Sequence, residues 1–184
     1  LIDVLYSKEE IVGGDILFLI SCSYVISKQH RDKFKKTLAI HASDLPIGRG
    51  WSPHIWEIIH GASEITLSLL EAEDKIDSGD IWQKTKVSIP KTALYDEINQ
   101  LIFDAEINLM NFAISSFNDI TPIKQDSTET SYWPKRSLKD SEIDINKSLS
   151  EQFDLIRVCD PYRFPAFFYK DGKKFNITIQ KDNE

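Results

Sequence analysis

Residues 37–56 read "TLAIHASDLPIGRGWSPHIW". The first five form an apolar run ending in His41, and the stretch from His41 to Trp56 then gathers Asp44, Pro46, Gly48, Arg49, Gly50 and Pro53. Such a change of composition predicts a buried strand whose C-terminal end delivers a histidine into a structured loop. Ser52 followed by Pro53 reads as an N-cap with proline at the first helical position, and Gly61 as a stop, so a helix is expected over 53–60. Ligands of open α/β sheets bind at that edge of the strands.

The same reading extends in both directions. "DILFLISC" (15–22), preceded by Gly13 and Gly14, is a continuous apolar run expected as a buried strand of a parallel sheet. "SKQHRDKFKK" (27–36) reads as a short surface helix with Phe34 as its apolar contact, which completes a right-handed βαβ unit with "TLAIH". Downstream, 64–72 and 81–89 are expected strands flanking a polar loop, "EDKIDSGD" (73–80). From 92 to 117 the apolar residues recur at helical spacing, predicting one long amphipathic helix over the sheet. Residues 118–147 are polar and irregular apart from "SYWPKR". A helix over 149–160 follows, then a hairpin in "AFFYKDGKKFNITI" turning at Asp171-Gly172. The expectation is an α/β, Rossmann-like core over 1–120, with a mostly parallel sheet flanked by helices. A small α+β C-terminal extension of linker, helix and β-hairpin would occupy 121–184.

Composition narrows the function classes. A hydrophobic share of 41% over 184 residues supports a real core. The net charge of -7, from 29 acidic against 22 basic residues, with no basic block beyond "RDKFKK", argues against a large phosphate-tracking surface and so against a nucleic-acid partner. Cys22 and Cys159 fit neither a disulfide framework nor a zinc spacing, and are expected as buried thiols in a reducing compartment. Nothing reaches membrane-spanning length or resembles a signal peptide, so a cytoplasmic location is the default and no membrane partner is expected. "NKS" and "NIT" match the glycosylation sequon at the level of chance. Because the chain opens on Leu1 and its single methionine is Met110, a preceding segment is expected, with "LIDVLYS" as a further strand.

Two polar positions belong to the same sheet edge: His41 after "TLAI" and Asp77 in the loop after "EITLSLLEA". A carboxylate beside a histidine stabilises its charged form and fixes the ring, as proton transfer during attack on a carbonyl requires. The residues alone, without further evidence, favour a histidine capping the sheet and an aspartate bonding its own backbone. No His/Cys/carboxylate cluster suggests a metal. His30, His54 and His60 read as solvated or packing residues.

"IHASDLPIGRGWSP" followed by "GASEITLSLLEAEDKIDSGDI" resembles the core signature of the 10-formyltetrahydrofolate-dependent formyltransferases. In that family a strand-end histidine leads into a Pro- and Arg-Gly-containing loop, and an aspartate before a small residue and glycine follows about 36 positions on, the interval from His41 to Asp77. "YWPKRSLKDSEIDINKSLSEQFDLIRVCDPYRFPAFFYKDGKKF" is similar to the C-terminal part of methionyl-tRNA formyltransferase and of the sugar-modifying members. The resemblance covers roughly 12–180 and implies the formyltransferase fold, N-terminally truncated here.

Carried over, it makes His41 and Asp77 the catalytic pair, and 10-formyltetrahydrofolate the formyl donor, with no metal. Ser23, Tyr24, Val25 and Ile26 become candidate folate contacts, with Ala72, Asp74 and Ile76 closing the pocket opposite. Arg49, Gly50 and Trp51 fall on the acceptor side. Tyr132, Lys135 and Arg136 either bind an anionic acceptor such as a nucleotide diphosphate or form a surface turn. One departure stands out: the family's asparagine two residues before the histidine, whose amide binds the formyl oxygen, is Ala39 here. Loss of such a donor costs on the order of a hundredfold in other enzymes. By charge and tail length the chain is closest to the amino-sugar N-formyltransferases. Its expected acceptor is then a small-molecule amine, the amino group of a nucleotide-linked sugar, in a chain that could form a homodimer. The alternatives are a methionyl-tRNA formyltransferase-like enzyme, or a catalytically impaired protein that binds folate or a nucleotide sugar.

Overall fold

The apolar run before His41 is the second half of a longer strand. In the structure, a computed structural model that describes residues 2–22, 24–126 and 128–182, Gly14–Leu19 (β1) and Phe34–His41 (β2) run parallel, with Leu17 opposite Thr37 and Leu19 opposite Ala39. The expected helix over 27–36 shrinks to one turn, Lys28–Arg31 (α1). Phe34 packs against the Ile11, Leu17 and Ile26 cluster, while Lys35 pairs with Asp15 at 2.7 Å and Lys36 with Glu71 at 2.5 Å. The lysines that suggested a solvated helix are cross-strand partners of carboxylates. Residues 2–7, expected as a strand, form none, and Ile2, Val4 and Tyr6 are exposed.

After β2 come Arg49–Gly50 (β3), Pro53–Ile59 (α2), Glu64–Glu71 (β4), Ile81–Ser88 (β5) and Tyr95–Ser115 (α3). Tyr132–Trp133 (β6), Leu149–Arg157 (α4), Ala166–Lys170 (β7) and Lys173–Ile177 (β8) complete the chain. The main sheet has the order β1-β2-β4-β5 with helices packed on it, the expected Rossmann-like class. Its parallel character, however, rests on β1 and β2: β4 runs antiparallel to both β2 and β5.

Length explains the direction of β4. Seven residues of α2 span only about 10 Å, whereas the eight of β2 span about 26 Å, so α2 cannot return the chain to the start of β2. The 72–80 connection is likewise too short for the dozen or more residues of a parallel crossover.

β4 buries both faces. Ile65, Leu67 and Leu69 meet Ile98, Ile102, Ala105, Leu109 and Ala113 of α3, with Ile55 and Ile58 of α2 at one end. These residues supply most of the burial that holds α3 down, at about 1.5–3 kcal/mol for each fully buried large side chain. On the opposite face Leu70 packs with Leu45 and Ile81. Val158, just past α4, joins the main core, while Ile143, Ile156, Cys159 and Ala166 form a second, small one. The β7–β8 hairpin turns at Asp171 and Gly172, both left-handed, as the sequence suggested. Cys159 is buried as expected but Cys22 is exposed, because β1 ends three residues before it. Among the described residues no helix is long and apolar enough to cross a membrane.

Candidate active site

His41 is the last residue of β2, where the strand leaves the sheet and the chain must turn. Its Nε2–H donates to the Gly48 carbonyl at 2.9 Å, so the loop returns onto the ring that begins it. The other ring nitrogen, Nδ1, faces Asp77 Oδ1 at 3.5 Å, and each side chain is only 11% exposed. The second carboxylate oxygen of Asp77 accepts from the Gly50 backbone N–H at 3.0 Å. The two residues expected as a catalytic pair are therefore adjacent, and each is held by loop backbone on its far side.

The loop 42–50 is fixed by buried hydroxyls and by a strand that arrives from far along the chain. Ser43 Oγ–H donates to Ile47 O, and Ser68 Oγ–H, from the middle of β4, donates to Ser43 O. Both serines are fully buried. β3 pairs in parallel with β6, Arg49 opposite Tyr132 and Gly50 opposite Trp133. Gly48 N–H donates to Ser131 Oγ at 2.8 Å and Trp51 N–H to Trp133 O at 3.1 Å. At Gly50 φ is +102°, and a Cβ would stand 2.3 Å from Trp133 O, so no other residue fits the pairing.

Asp77 itself is left-handed, with φ of 56°. Its loop, 72–80, is pinned by Glu71 N–H to Asp80 O at 2.9 Å and by the contact of Gly79 with the Glu71 backbone, where a Cβ would lie 1.9 Å from Glu71 O. Gln125 completes the pinning. Its Nε2 donates to Asp77 O at 3.1 Å and to Gly79 O at 2.8 Å, and its Oε1 accepts from Arg49 Nη2 at 2.8 Å.

The helix after the loop contributes two titratable groups. His54, in the first turn of α2, has its Nδ1 buried with no partner among the described residues. Burial first, then the neighbouring His41 and Arg136, hold its pKa down to about 4, so the ring is neutral near pH 7. Glu57, one turn on, is pushed up to about 7 by burial and then by the Asp44 carboxylate. His54, which the sequence allowed as a solvated or a packing residue, is a packing one, and Glu57 carried no signal in the sequence. His60, by contrast, donates Nδ1–H to Trp56 O and tilts against Trp133.

The expected folate contacts divide. Tyr24 and Val25 are exposed beyond the end of β1, and Ile76 is exposed in the Asp77 loop. Ile26 is buried in the cluster with Ile11 and Leu17, which takes its side chain out of any open pocket. Ser23 lies outside the described residues. Ala72 N–H donates to Thr37 O at 2.8 Å, tying the start of the loop to β2. Asp74 is engaged by Arg31, whose guanidinium also donates to Ile26 O at 2.6 Å. One nearly buried arginine thus clasps the 21–26 segment to the 72–77 loop. Three exposed apolar side chains on two clasped segments suit a flat, largely apolar ring system.

Of the expected acceptor-side residues, Trp51 and Lys135 come together, with the ammonium 4.6 Å from the ring centroid. Tyr132 is exposed beside them. Arg49 is not at the surface: it is buried and donates to Gln125. Arg136 turns inward to Asp140 O and Ser141 Oγ. Trp56 and Trp133 stack at 5.8 Å behind Trp51, and Trp56 Nε1–H donates to Pro134 O. Ala39, two residues before His41 and on the same face of β2, presents only a methyl group packed on Leu45, Leu70 and Ile81. Among the described residues no group of three or more His, Cys, Asp or Glu side chains lies close enough to hold a metal ion.

Comparison with known proteins bears on the family and the fold. Residues 6–114 match the family model described as "Formyl transferase". The methionyl-tRNA formyltransferase of Protochlamydia amoebophila is 33% identical over 170 residues, which cover 90% of this chain and 54% of that protein. The chain spans about half the length of the curated relatives it matches. Among solved structures, a 4-N formyltransferase from Francisella tularensis superposes with a TM-score of 0.74 at 22% identity, over 92% of this chain and 72% of the other. HypX from Aquifex aeolicus in complex with tetrahydrofolic acid superposes with a TM-score of 0.65 at 22% identity, over 87% of this chain and 28% of the other. These two likenesses carry the fold.

Proposed function

This chain belongs to the formyl transferase family, and from that premise we propose that it forms part of an enzyme moving a formyl group from 10-formyltetrahydrofolate to a primary amine. The observation that carries the proposal is the His41–Asp77 pair, nearly buried, at 3.5 Å, and locked by Gly48 O and Gly50 N–H. The donor supplies a formyl carbon open to attack by the amine. Tyr24, Val25 and Ile76 would hold its ring system, with Arg31 keeping the two segments together. His41 holds a proton on Nε2 and presents Nδ1 to Asp77, so the pair can carry the proton that an attacking amine must lose. The Gly50 N–H balances the charge on Asp77's second oxygen and orients the carboxylate. With Ala39 in place of the family's asparagine, stabilisation of the formyl oxygen falls to groups other than the side chain at that position.

For the acceptor we propose the amino group of a nucleotide-linked sugar. The net charge of -7 disfavours a long polyanion, while Trp51, Lys135 and Tyr132 offer a compact aromatic and cationic face beside the His41 loop. The names of the curated relatives favour a second acceptor, methionyl-tRNA. Ala39 favours a third reading, a protein that binds folate without turnover.

The test is release of tetrahydrofolate from 10-formyltetrahydrofolate by the full-length gene product, offered a panel of nucleotide-linked amino sugars and, separately, methionyl-tRNA. Turnover with a sugar, cut at least about 100-fold in His41→Asn, is the expected result. Turnover with the tRNA alone would reassign the acceptor. Saturable donor binding without any turnover would leave the folate-binding reading, and turnover unchanged in His41→Asn would remove His41 from the chemistry.

A further inference from the structure

Gln125 sits in a stretch that composition marks as linker, yet among the described residues its side chain makes three hydrogen bonds, all within the site. Its amide nitrogen donates to the carbonyls of Asp77 and Gly79, and its oxygen accepts from buried Arg49. It is partly buried, and the strand-like bridge Ile81–Ile123, two bonds of 2.8 Å, fixes the backbone two residues before it.

What this clamp joins is chemically specific. Asp77 adopts a left-handed backbone that a non-glycine residue keeps only when its surroundings impose it. On one side Gln125 holds the Asp77 and Gly79 carbonyls. On the other it holds Arg49, the residue before Gly50, whose N–H fixes the Asp77 carboxylate. One side chain therefore sets the distance between the loop that carries Asp77 and the strand that orients its carboxylate. The carbonyls need a donor and the guanidinium needs an acceptor, and a primary amide supplies both from one planar group.

We propose that Gln125 is a positioning residue that sets the Asp77 carboxylate against His41 by cross-linking the Asp77–Gly79 turn to Arg49. The inference rests on the formyl-transfer reading for its catalytic consequence, and on geometry alone for the positioning.

The full-length protein is examined as wild type, Gln125→Ala and Gln125→Glu. Arg49-Gly50 is the only Arg-Gly step among these 184 residues, so 13C-carbonyl arginine with 15N-glycine labelling marks the Gly50 amide, and the loss of its signal in Gly50→Ala assigns it. Both variants are expected to move the Gly50 signal and speed its hydrogen exchange at least about tenfold, because the amide loses its fixed acceptor. The Gly172 amide in the distant hairpin should stay in place, which separates positioning from general unfolding. Glutamate keeps an acceptor for Arg49 but loses both donations, so it should behave like alanine. In turnover of 10-formyltetrahydrofolate with the sugar accepted by the wild type, kcat should fall about 10- to 100-fold while KM for the donor changes less than about threefold. An unchanged Gly50 amide in Gln125→Ala, or wild-type behaviour of Gln125→Glu, would overturn the proposal. Wild-type protein without formyl transfer would refute the functional reading instead, and the Gly50 amide would still decide the role of Gln125.

Discussion

Replacement of His54 by leucine should remove a specific acid sensitivity from the fold. The imidazole is held neutral, with its pKa lowered from 6.5 to about 4 by burial and by the neighbouring His41 and Arg136. A depressed native pKa means that the unfolded chain takes up a proton the native state refuses. The stability it confers is thus complete above pH 6.5 and is lost as the pH falls from 6.5 towards 4. At pH 4.5 the gap from the unfolded value is two units, at about 1.4 kcal/mol each, less a small part for native protein already protonated; the loss is about 2.5 kcal/mol. At pH 7.5 it is near zero. Urea unfolding of wild type and His54→Leu at both pH values isolates this quantity, because the other titrating groups cancel in the difference. Since Nδ1 has no partner among the described residues, leucine breaks no hydrogen bond there. The variant should gain about 2.5 kcal/mol on the wild type between pH 7.5 and 4.5. A differential gain below about 0.5 kcal/mol would show that His54 protonates freely in the native state and refute the argument.

Glu57 should behave with opposite sign. Its raised native pKa of about 7 leaves stability intact below pH 4.5 and erodes it as the pH rises through 7, so Glu57→Gln should equal the wild type at pH 4 and exceed it by about 1 kcal/mol at pH 8, after allowance for partial exposure. Thermal unfolding at the two pH values checks this. Gly50→Ala meets a backbone carbonyl at 2.3 Å in a left-handed conformation, and calorimetry should find it destabilised by about 2–3 kcal/mol; an unchanged Tm would contradict the β3–β6 geometry. Arg31→Met should raise the Kd for 5-formyltetrahydrofolate about tenfold in a calorimetric titration, because it unclasps the two segments proposed to hold the donor, and an unchanged Kd would separate Arg31 from that site.

The parts of the fold legible in the sequence are those with local signals. β4, β5, α3, α4 and the terminal hairpin announce themselves by periodicity and turn chemistry, and each forms within a few residues of its expected bounds. The segment 27–36 misled because Lys35 and Lys36 look solvated, whereas their carboxylate partners lie on neighbouring strands. His41 and Asp77 were legible as strand-end residues on one edge. The groups that hold them were not. β3 and β6 are two residues each, below any periodic signal, and the role of Gln125 depends on three partners far away in sequence. Arg49 was placed on the acceptor side by its match to the family's Arg-Gly step, and Arg136 was read as either an anion contact or part of a surface turn; both are drawn inward by acceptors that only tertiary structure supplies.

The two-residue pairing of β3 with β6 sets an order of assembly. Gly48 and Ser131, joined by a hydrogen bond, stand 83 residues apart, with α3 between them. During synthesis, which proceeds from the N-terminal side, the histidine loop leaves the ribosome long before the segment that receives its amides. Until that segment arrives, Gly48, Arg49 and Trp51 have only water for their N–H groups, and closing so long a span waits on the core that α3 builds. A chain interrupted before residue 131 would hold both His41 and Asp77 on a folded sheet and still lack an ordered reactive edge.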